Sequence, residues 1–397
     1  MKQKNSTIAI VGRFNFPTGD AASTRVIGVG KILKSLGYNV VFIGKCMRPE
    51  DPSCLSGSFD GFKYYNIPNR QSPLNRMRQI IFSGEMTVAK LEQENVNPSI
   101  IIYYGNSSTY LKPLLKYAKR KKIKLVTDIV EWYDPGQVNG GKLSPMLWDV
   151  NHTIQKVIPK CDGVIAISSF FQKYYDKKGM TTIRVPQLFD IEDSKWKTEE
   201  ATSFCENSLN LVYAGVPGKK DSIDIIIKSV KKIVDQGHSI KLHLFGPSPE
   251  QIEDVLEKDK VLVKDLEGTI VFHGRINHHE IPINLAKADF SVLIRPDMRY
   301  ANAGFPTKFV ESLAAGVPVI ANLTSDIGLY LKEGHTGFVV KDNSVENLAE
   351  SILKAIKIAK NEKLQMKKDS KNEARRSFYY KNHVEGFENF LLSLNKN

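Results

Sequence analysis

The residue types able to do chemistry concentrate in one run, from Phe290 to Ile320. Its pattern predicts a strand ending near Arg295, a loop opened by Gly304, a helix that starts at Thr307 behind Pro306 and stops at Gly316, and a strand over 318–321. Loop amides and a helix amino terminus both present positive partial charge, so with Lys308 in the first turn they suit a diphosphate. Glu311 lies about 10 Å beyond Gly304 along the helix axis. Side chains lean back toward the amino terminus, so its carboxylate can accept two ribose hydroxyls beside that diphosphate. The plainer reading of Glu311 is a local cap, or a pair with Lys308 at i, i+3.

A second loop repeats this geometry. Tyr213-Ala-Gly215-Val-Pro-Gly218-Lys219-Lys220-Asp221 follows an apolar run and precedes a helical one. Gly215 permits a tight turn, Lys219 and Lys220 bring positive charge to a diphosphate, and Asp221 is a good helix N-cap. The first strand also ends in a glycine-bearing turn, Gly12 through Gly19. This first loop is neither G-x-G-x-x-G nor a Walker loop, which argues against an ordinary dehydrogenase. Asp128 and Glu131 follow another predicted strand and are candidate acids facing a cleft; the alternative is an N-cap or a surface charge. His273 and the adjacent His278 and His279 lack metal-ligand geometry, and Asp-x-Asp is absent, so no metal is expected.

These loops need a scaffold that aims strand ends at one place. Short apolar runs rich in β-branched residues alternate with segments of helical period, the pattern of parallel sheets with crossover helices. Strands are predicted at 7–11, 39–44, 100–104, 124–127 and 163–168, with a helix over 21–36. The rhythm restarts after a polar stretch, with strands at 209–214, 240–245, 270–273 and 290–294 and a helix over 222–234. A chain of 397 residues with 42% apolar and 25% charged content fits two globular domains. We expect an α/β architecture of two doubly wound, Rossmann-like domains, residues 1–195 and 196–375. Residues 376–397 form a terminal helix, packed on its own domain or back across the first. Ligand is expected where the carboxyl ends of the strands meet an interdomain cleft.

Charge is uneven: residues 1–195 hold 28 Lys/Arg against 16 Asp/Glu, while residues 196–397 hold 28 against 27. The first half therefore faces something anionic. The stretch from Lys112 to Lys124 fits either a helix lying on anionic lipid or an ordinary solvated helix. No nucleic-acid-binding signature accompanies the charge. The apolar run at 8–11 is too short for a signal peptide, and no run reaches the roughly 18 apolar residues of a membrane span. Four scattered cysteines, Cys46, Cys54, Cys161 and Cys205, read as buried, reduced thiols. These features point to a cytoplasmic protein, associated with the membrane on its cytoplasmic face if the basic half binds lipid.

Residues 303–311, Ala-Gly-Phe-Pro-Thr-Lys-Phe-Val-Glu, followed by Gly316-Val-Pro-Val-Ile320, resemble the donor-binding motif of glycosyltransferase family 4, retaining enzymes of the GT-B fold. The resemblance extends over Tyr213–Asp221, Phe272-His-Gly-Arg275 and Gly334-His-Thr-Gly337, so it spans most of residues 209–340 and is weak in the first half. It implies transfer of a hexose-type group from a nucleoside-diphosphate sugar to a hydroxyl, with retention and with no cofactor; the basic first half adds the expectation of a glycan or lipid-linked acceptor in surface polysaccharide or glycoconjugate assembly. It assigns Glu311 to the donor ribose, Lys219 or Lys220 to the diphosphate, and the Gly304, Phe305 and Pro306 amides to the same leaving group, with Thr307 and Lys308 beside them. The chain departs from the pattern twice. The motif's first acid is Ala303, a place Asn302 is expected to fill. The basic residue after the loop glycine is Val216, so Arg275 or Arg295 is expected to supply that charge. A donor-contacting His common near 128 is absent, leaving Asp128 and Glu131 as its replacements. A nucleotide-sugar 2-epimerase of the same fold and a non-catalytic glycan-binding protein are the alternatives.

Overall fold

Ile8, Ala9, Ile10 and Val11 are all buried, which a strand covered on both faces requires. They belong to β1 (Thr7–Asn15), and β2 (Asn39–Cys46) and β6 (Ile100–Tyr104) pair with it in parallel on either side. The computed structural model describes residues 6–395 except 18–20, 49, 70–71, 199–200, 206, 217 and 219. Among them the chain forms two units. One runs to Phe189 and resumes at Tyr380; the other is Asp190–Tyr379.

The first unit is built on a sheet ordered β3-β4-β2-β1-β6-β7-β8-β9, with β5 paired to β2. The remaining strands are β3 (Ser56–Phe59), β4 (Phe62–Tyr65), β5 (Ile67–Pro68), β7 (Lys124–Ile129), β8 (Gly163–Ala166) and β9 (Thr182–Arg184). Only the β3–β4 hairpin is antiparallel. Strands β3 to β5 escape sequence reading because they are short and half exposed, with no run of buried β-branched residues to mark them. The helix Val384–Ser393 belongs to this unit and buries Phe387, Phe390 and Leu391. Gly163 is needed there: a Cβ on it would lie 2.6 Å from Leu394 and 2.9 Å from Phe390.

The second unit holds a parallel sheet ordered β12-β11-β10-β13-β14-β15: β10 (Leu209–Ala214), β11 (Ile240–Phe245), β12 (Ile270–Gly274), β13 (Phe290–Leu293), β14 (Val319–Asn322) and β15 (Gly337–Val340). Its core packs Leu211, Leu242, Leu244 and Val292 against the helices Ile223–Asp235 and Val345–Lys357. In each sheet the strand order reverses beside the first strand, between β1 and β6 and between β10 and β13. Loops leaving those neighbours turn to opposite faces and open a crevice at the carboxyl edge.

Two expectations are corrected here. Cys46 and Cys54 form a disulfide, with Cα atoms 5.3 Å apart, because the short helix Pro52–Leu55 brings the chain back beside the end of β2; Cys161 and Cys205 form no disulfide among the described residues. Asp128 does not face a cleft. It is buried at the end of β7, where Arg25 Nε and Nη2 hold both carboxylate oxygens at 2.6–3.0 Å. Arg25 Nη1 donates to the Val185 and Pro186 carbonyls at 3.1 Å each, so the pair ties the helix Ala21–Ser35 to the segment just after β9.

Removing one member of such a pair strands the other charge in the interior. Arg25→Met should lower stability by about 3–5 kcal/mol, and the double change Arg25→Met, Asp128→Leu by much less. Urea unfolding of the three proteins checks this; equal losses in the single and double variants would contradict it.

Candidate functional site

Three adjacent strands of the second unit end in glycines with positive φ: Gly215 at 143°, Gly246 at 109° and Gly274 at 64°. Gly215 N donates to Phe245 O at 2.8 Å and Gly246 N to Gly274 O at 2.7 Å, which extends the ladder past the strands as a bare backbone ledge. The ledge lies beside the β10–β13 reversal. From β13, the chain runs through Arg295 and the short helix Arg299–Ala303 to Gly304, then into the helix Thr307–Ala314. That helix buries Phe309, Val310 and Leu313 and stops at Gly316, whose φ is 76°. Pro306 sits in its cap position without a side-chain cap.

Lys308 leaves the first turn of this helix and crosses the end of β10. A Cβ on Gly215 would lie 2.3 Å from Lys308 Cε, so the glycine is what lets the lysine pass. Its Nζ donates to Tyr213 Oη at 2.7 Å, stands 4.2 Å from the Tyr213 ring centroid, and pairs with the Asp221 carboxylate. Tyr213 Oη also donates to Asp221 at 2.9 Å, and Arg295 Nε lies 3.7 Å from the other Asp221 oxygen. Burial pushes the Asp221 carboxyl up, but Lys308 and then Arg295 outweigh it and hold Asp221 below the usual carboxylate range. Burial, reinforced by Asp221, raises the Tyr213 phenol. Two cations thus meet one partly buried anion, leaving net positive charge at the sheet edge. The expected N-cap role of Asp221 is corrected: Ser222 precedes the helix Ile223–Asp235, and Asp221 turns inward to these cations.

The other sequence-derived residues differ in placement. Glu311 is partly exposed on the helix, with Oε1 3.6 Å from His278 Nε2, so its neighbour is His278 rather than Lys308. Lys220 and Thr307 are half-buried, and Arg275 is exposed after the Gly274 turn. Phe305 points inward, packing its ring against Phe309, Tyr330 and Phe378 with centroids 5.7–6.0 Å away; it anchors the glycine loop. Asn302 is already committed: its Nδ2 donates to Asp297 at 2.6 Å and its Oδ1 accepts from Ser325 N at 2.8 Å. It braces two loops, so the place left by Ala303, which is itself fully buried, is not filled by a free Asn302 amide. Gly19 and Lys219 lie outside the described residues. Glu131, in the first unit, accepts from Tyr133 Oη and its carbonyl from Asn106 Nδ2.

Residues 194–375 match the family of group 1 glycosyl transferases. The chain is 28% identical over 171 residues to the capsular polysaccharide biosynthesis glycosyltransferase CapM of Staphylococcus aureus, covering 43% of this chain and 42% of CapM. It spans about half the length of the relatives it matches. Among solved structures, sucrose-phosphate synthase from Thermosynechococcus elongatus superposes with a TM-score of 0.75 at 15% identity, over 98% of this chain and 99% of that one. HepE of Anabaena in complex with UDP gives a TM-score of 0.69 at 16% identity, over 98% and 100%. The fold is GT-B. The matched segment contains the ledge, the charge cluster and the Gly304–Glu311 turn.

Sequence reading missed Asp297 and the partner of His273. Asp297 stands exposed just past β13, and its i, i+5 spacing to Asn302 was the available signal. His273 Nε2 lies 3.0 Å from His243 Nδ1, and His243 Nε2 lies 3.3 Å from Asn210 Oδ1, with Phe204 stacked on the His243 ring. Only period-two counting on β11 would have put His243 on that face.

Burial, with His273 and Lys241 adding to it, pulls His243 down to about 4. The unfolded chain takes up a proton near 6.5 that the folded chain refuses, so stability is lost as pH falls from about 6.5 toward 4. The urea midpoint should fall between pH 7 and pH 5, and His243→Phe should flatten that dependence. An unchanged slope in the variant would overturn the assignment.

Proposed function

We propose that the protein transfers a hexose-type sugar from a nucleoside-diphosphate sugar, with UDP-sugars the first to test, to a hydroxyl of a lipid-linked glycan in surface polysaccharide assembly, retaining the anomeric configuration and using no metal. The observation that carries this reading is the convergence, beside the β10–β13 reversal, of bare glycine backbone, a helix amino terminus and the Lys308–Asp221–Arg295 cluster. Fixed donors and surplus positive charge are what a leaving diphosphate needs as its charge grows, and they act without rearranging at that moment. Lys308, held by Tyr213 and Asp221, and Lys220 supply positive charge, and Glu311 takes the ribose. UDP in HepE and the capsular role named for CapM support the donor and pathway classes. The leaving phosphate then guides the incoming hydroxyl on the same face of the sugar.

Asp297 takes the part that the missing acid at 303 leaves open. It is exposed at the end of β13 and steadied by Asn302, so one carboxylate can accept hydroxyls of the donor sugar.

Calorimetry with UDP, GDP and ADP tests the donor site. Glu311→Ala should weaken the preferred nucleotide by about 1–3 kcal/mol, the range for a hydrogen bond to a charged group; unchanged affinity would contradict the ribose role. Asp297→Asn should lower kcat/KM for the sugar donor by about ten-fold or more while nucleotide affinity stays the same. Parallel losses in both would remove Asp297 from sugar recognition.

A further inference from the structure

Two helices of the first unit, Ala21–Ser35 and Ser83–Gln93, end at the amino edge of its sheet, because each feeds the start of a parallel strand, β2 and β6. This is the edge opposite the loops that leave β1 and β6. Beside the two helix ends, β4 and the starts of β1 and β2 enclose a pocket of about 450 Å³. Lys63 and Tyr65, two residues apart on β4 and so on one face of it, form a wall. Tyr38, which leads into β2, and Asn95 and Asn97, which follow the second helix, line it as well. Both tyrosines are half-buried.

The walls are fixed by contacts of their own. Lys34 Nζ donates to Asp60 O at 3.1 Å and stands 5.0 Å from the Phe62 ring centroid, while Lys31 pairs with the Asp60 carboxylate at 2.8 Å. The β3–β4 turn is thereby held to the first helix. Past the second helix, Asn95 takes a left-handed φ of 53°, and Val96 N donates back to Leu91 O at 2.9 Å. Asn97 Nδ2 donates to Asn95 O at 3.2 Å, and Glu94 is paired with Lys90 at 2.6 Å. Glu94 is thus neutralised and Lys34 is occupied. Among the described residues the side chains of Lys63, Tyr65 and Asn95 have no hydrogen-bond or ion-pair partner in the protein.

Helices carry negative partial charge and unpaired carbonyls at their carboxyl ends. Two such ends beside one pocket oppose phosphate and carboxylate ligands, and the single ammonium of Lys63 does not reverse that. They suit a ligand that donates many hydrogen bonds. Tyrosine rings give the apolar face of a pyranose a surface to lie on, and asparagine amides pair with neighbouring hydroxyls. The volume is that of a small-molecule site. We propose that this pocket is a second saccharide site, which holds a neutral stretch of glycan at the amino edge of the first sheet. The inference rests on the reading of a glycan as acceptor and product, and adds to it a site that takes no part in the transfer.

The test is an array of neutral and uronic-acid-containing bacterial oligosaccharides read with the full chain, followed by calorimetry with the strongest neutral binder. Neutral members should bind. Tyr65→Ala should weaken that binding about ten-fold or more, while Tyr65→Phe, which keeps the ring, should retain most of it. Asn95→Gly keeps the left-handed backbone and should also weaken binding, so it decides alone if Tyr65→Ala does not fold. Circular dichroism matching the parent shows each variant folded. No binding to any member, binding to charged members only, or equal binding by the folded variants overturns the proposal. So does displacement of the saccharide by saturating UDP, which would put it in the donor site. UDP binding by the parent is measured separately: its failure counts against the donor reading and leaves the saccharide result standing.

Discussion

Lys308 reaches Asp221 only by crossing the end of β10, and the crossing is open because residue 215 has no Cβ. The rest of the candidate site hangs on this contact. It joins the helix Thr307–Ala314 to the loop after β10, and Arg295 joins the same carboxylate from the end of β13. Three segments distant in sequence are thus registered by one partly buried anion. Electrostatics in such a place is strengthened by partial burial, and the arrangement is tolerable because the carboxylate is satisfied by Tyr213 and Lys308 together. What remains after this neutralisation is positive, and it lies beside the amino terminus of the helix Thr307–Ala314.

Position follows from topology. In a parallel sheet every crossover returns the chain to the same edge, so loops gather at the carboxyl ends. Where the strand order reverses, neighbouring loops part and leave room for a ligand. The β10–β13 reversal supplies the crevice, the glycines at 215, 246 and 274 keep its floor free of side chains, and Phe305 anchors the wall by packing against Tyr330 and Phe378. Phe305 acts through packing and Glu311 through exposure, although both belong to one short motif.

In the first unit an interior ion pair does comparable work. Arg25 holds Asp128 and two carbonyls at the end of the unit, so a carboxylate at a strand's carboxyl end serves the scaffold instead of a substrate. Arg13, near the end of β1, instead donates to the Ile80 carbonyl and the Ser83 hydroxyl and so ties the junction of the helices Pro73–Ile81 and Ser83–Gln93 to the sheet.

The sequence by itself determined the parallel α/β architecture, because β-branched runs buried on both faces and helical segments differ in period and in length. It also determined the turn Gly304–Glu311 and the helix stop at Gly316, since a proline at a helix start and a glycine after its end have local steric causes. Cross-chain partners were decided only by tertiary structure. Nothing near Asp128 announces Arg25, which lies 103 positions away; Asp221 reads as a cap until Lys308, 87 positions on, is brought to it. Asn302 looks free until Ser325 and Asp297 close on its amide, and Cys46 and Cys54 look scattered until a short helix returns one to the other. Local sterics act within a few residues and can be read along the chain. Charge satisfaction and side-chain packing act through space, so they are fixed only when the sheet order has chosen the neighbours.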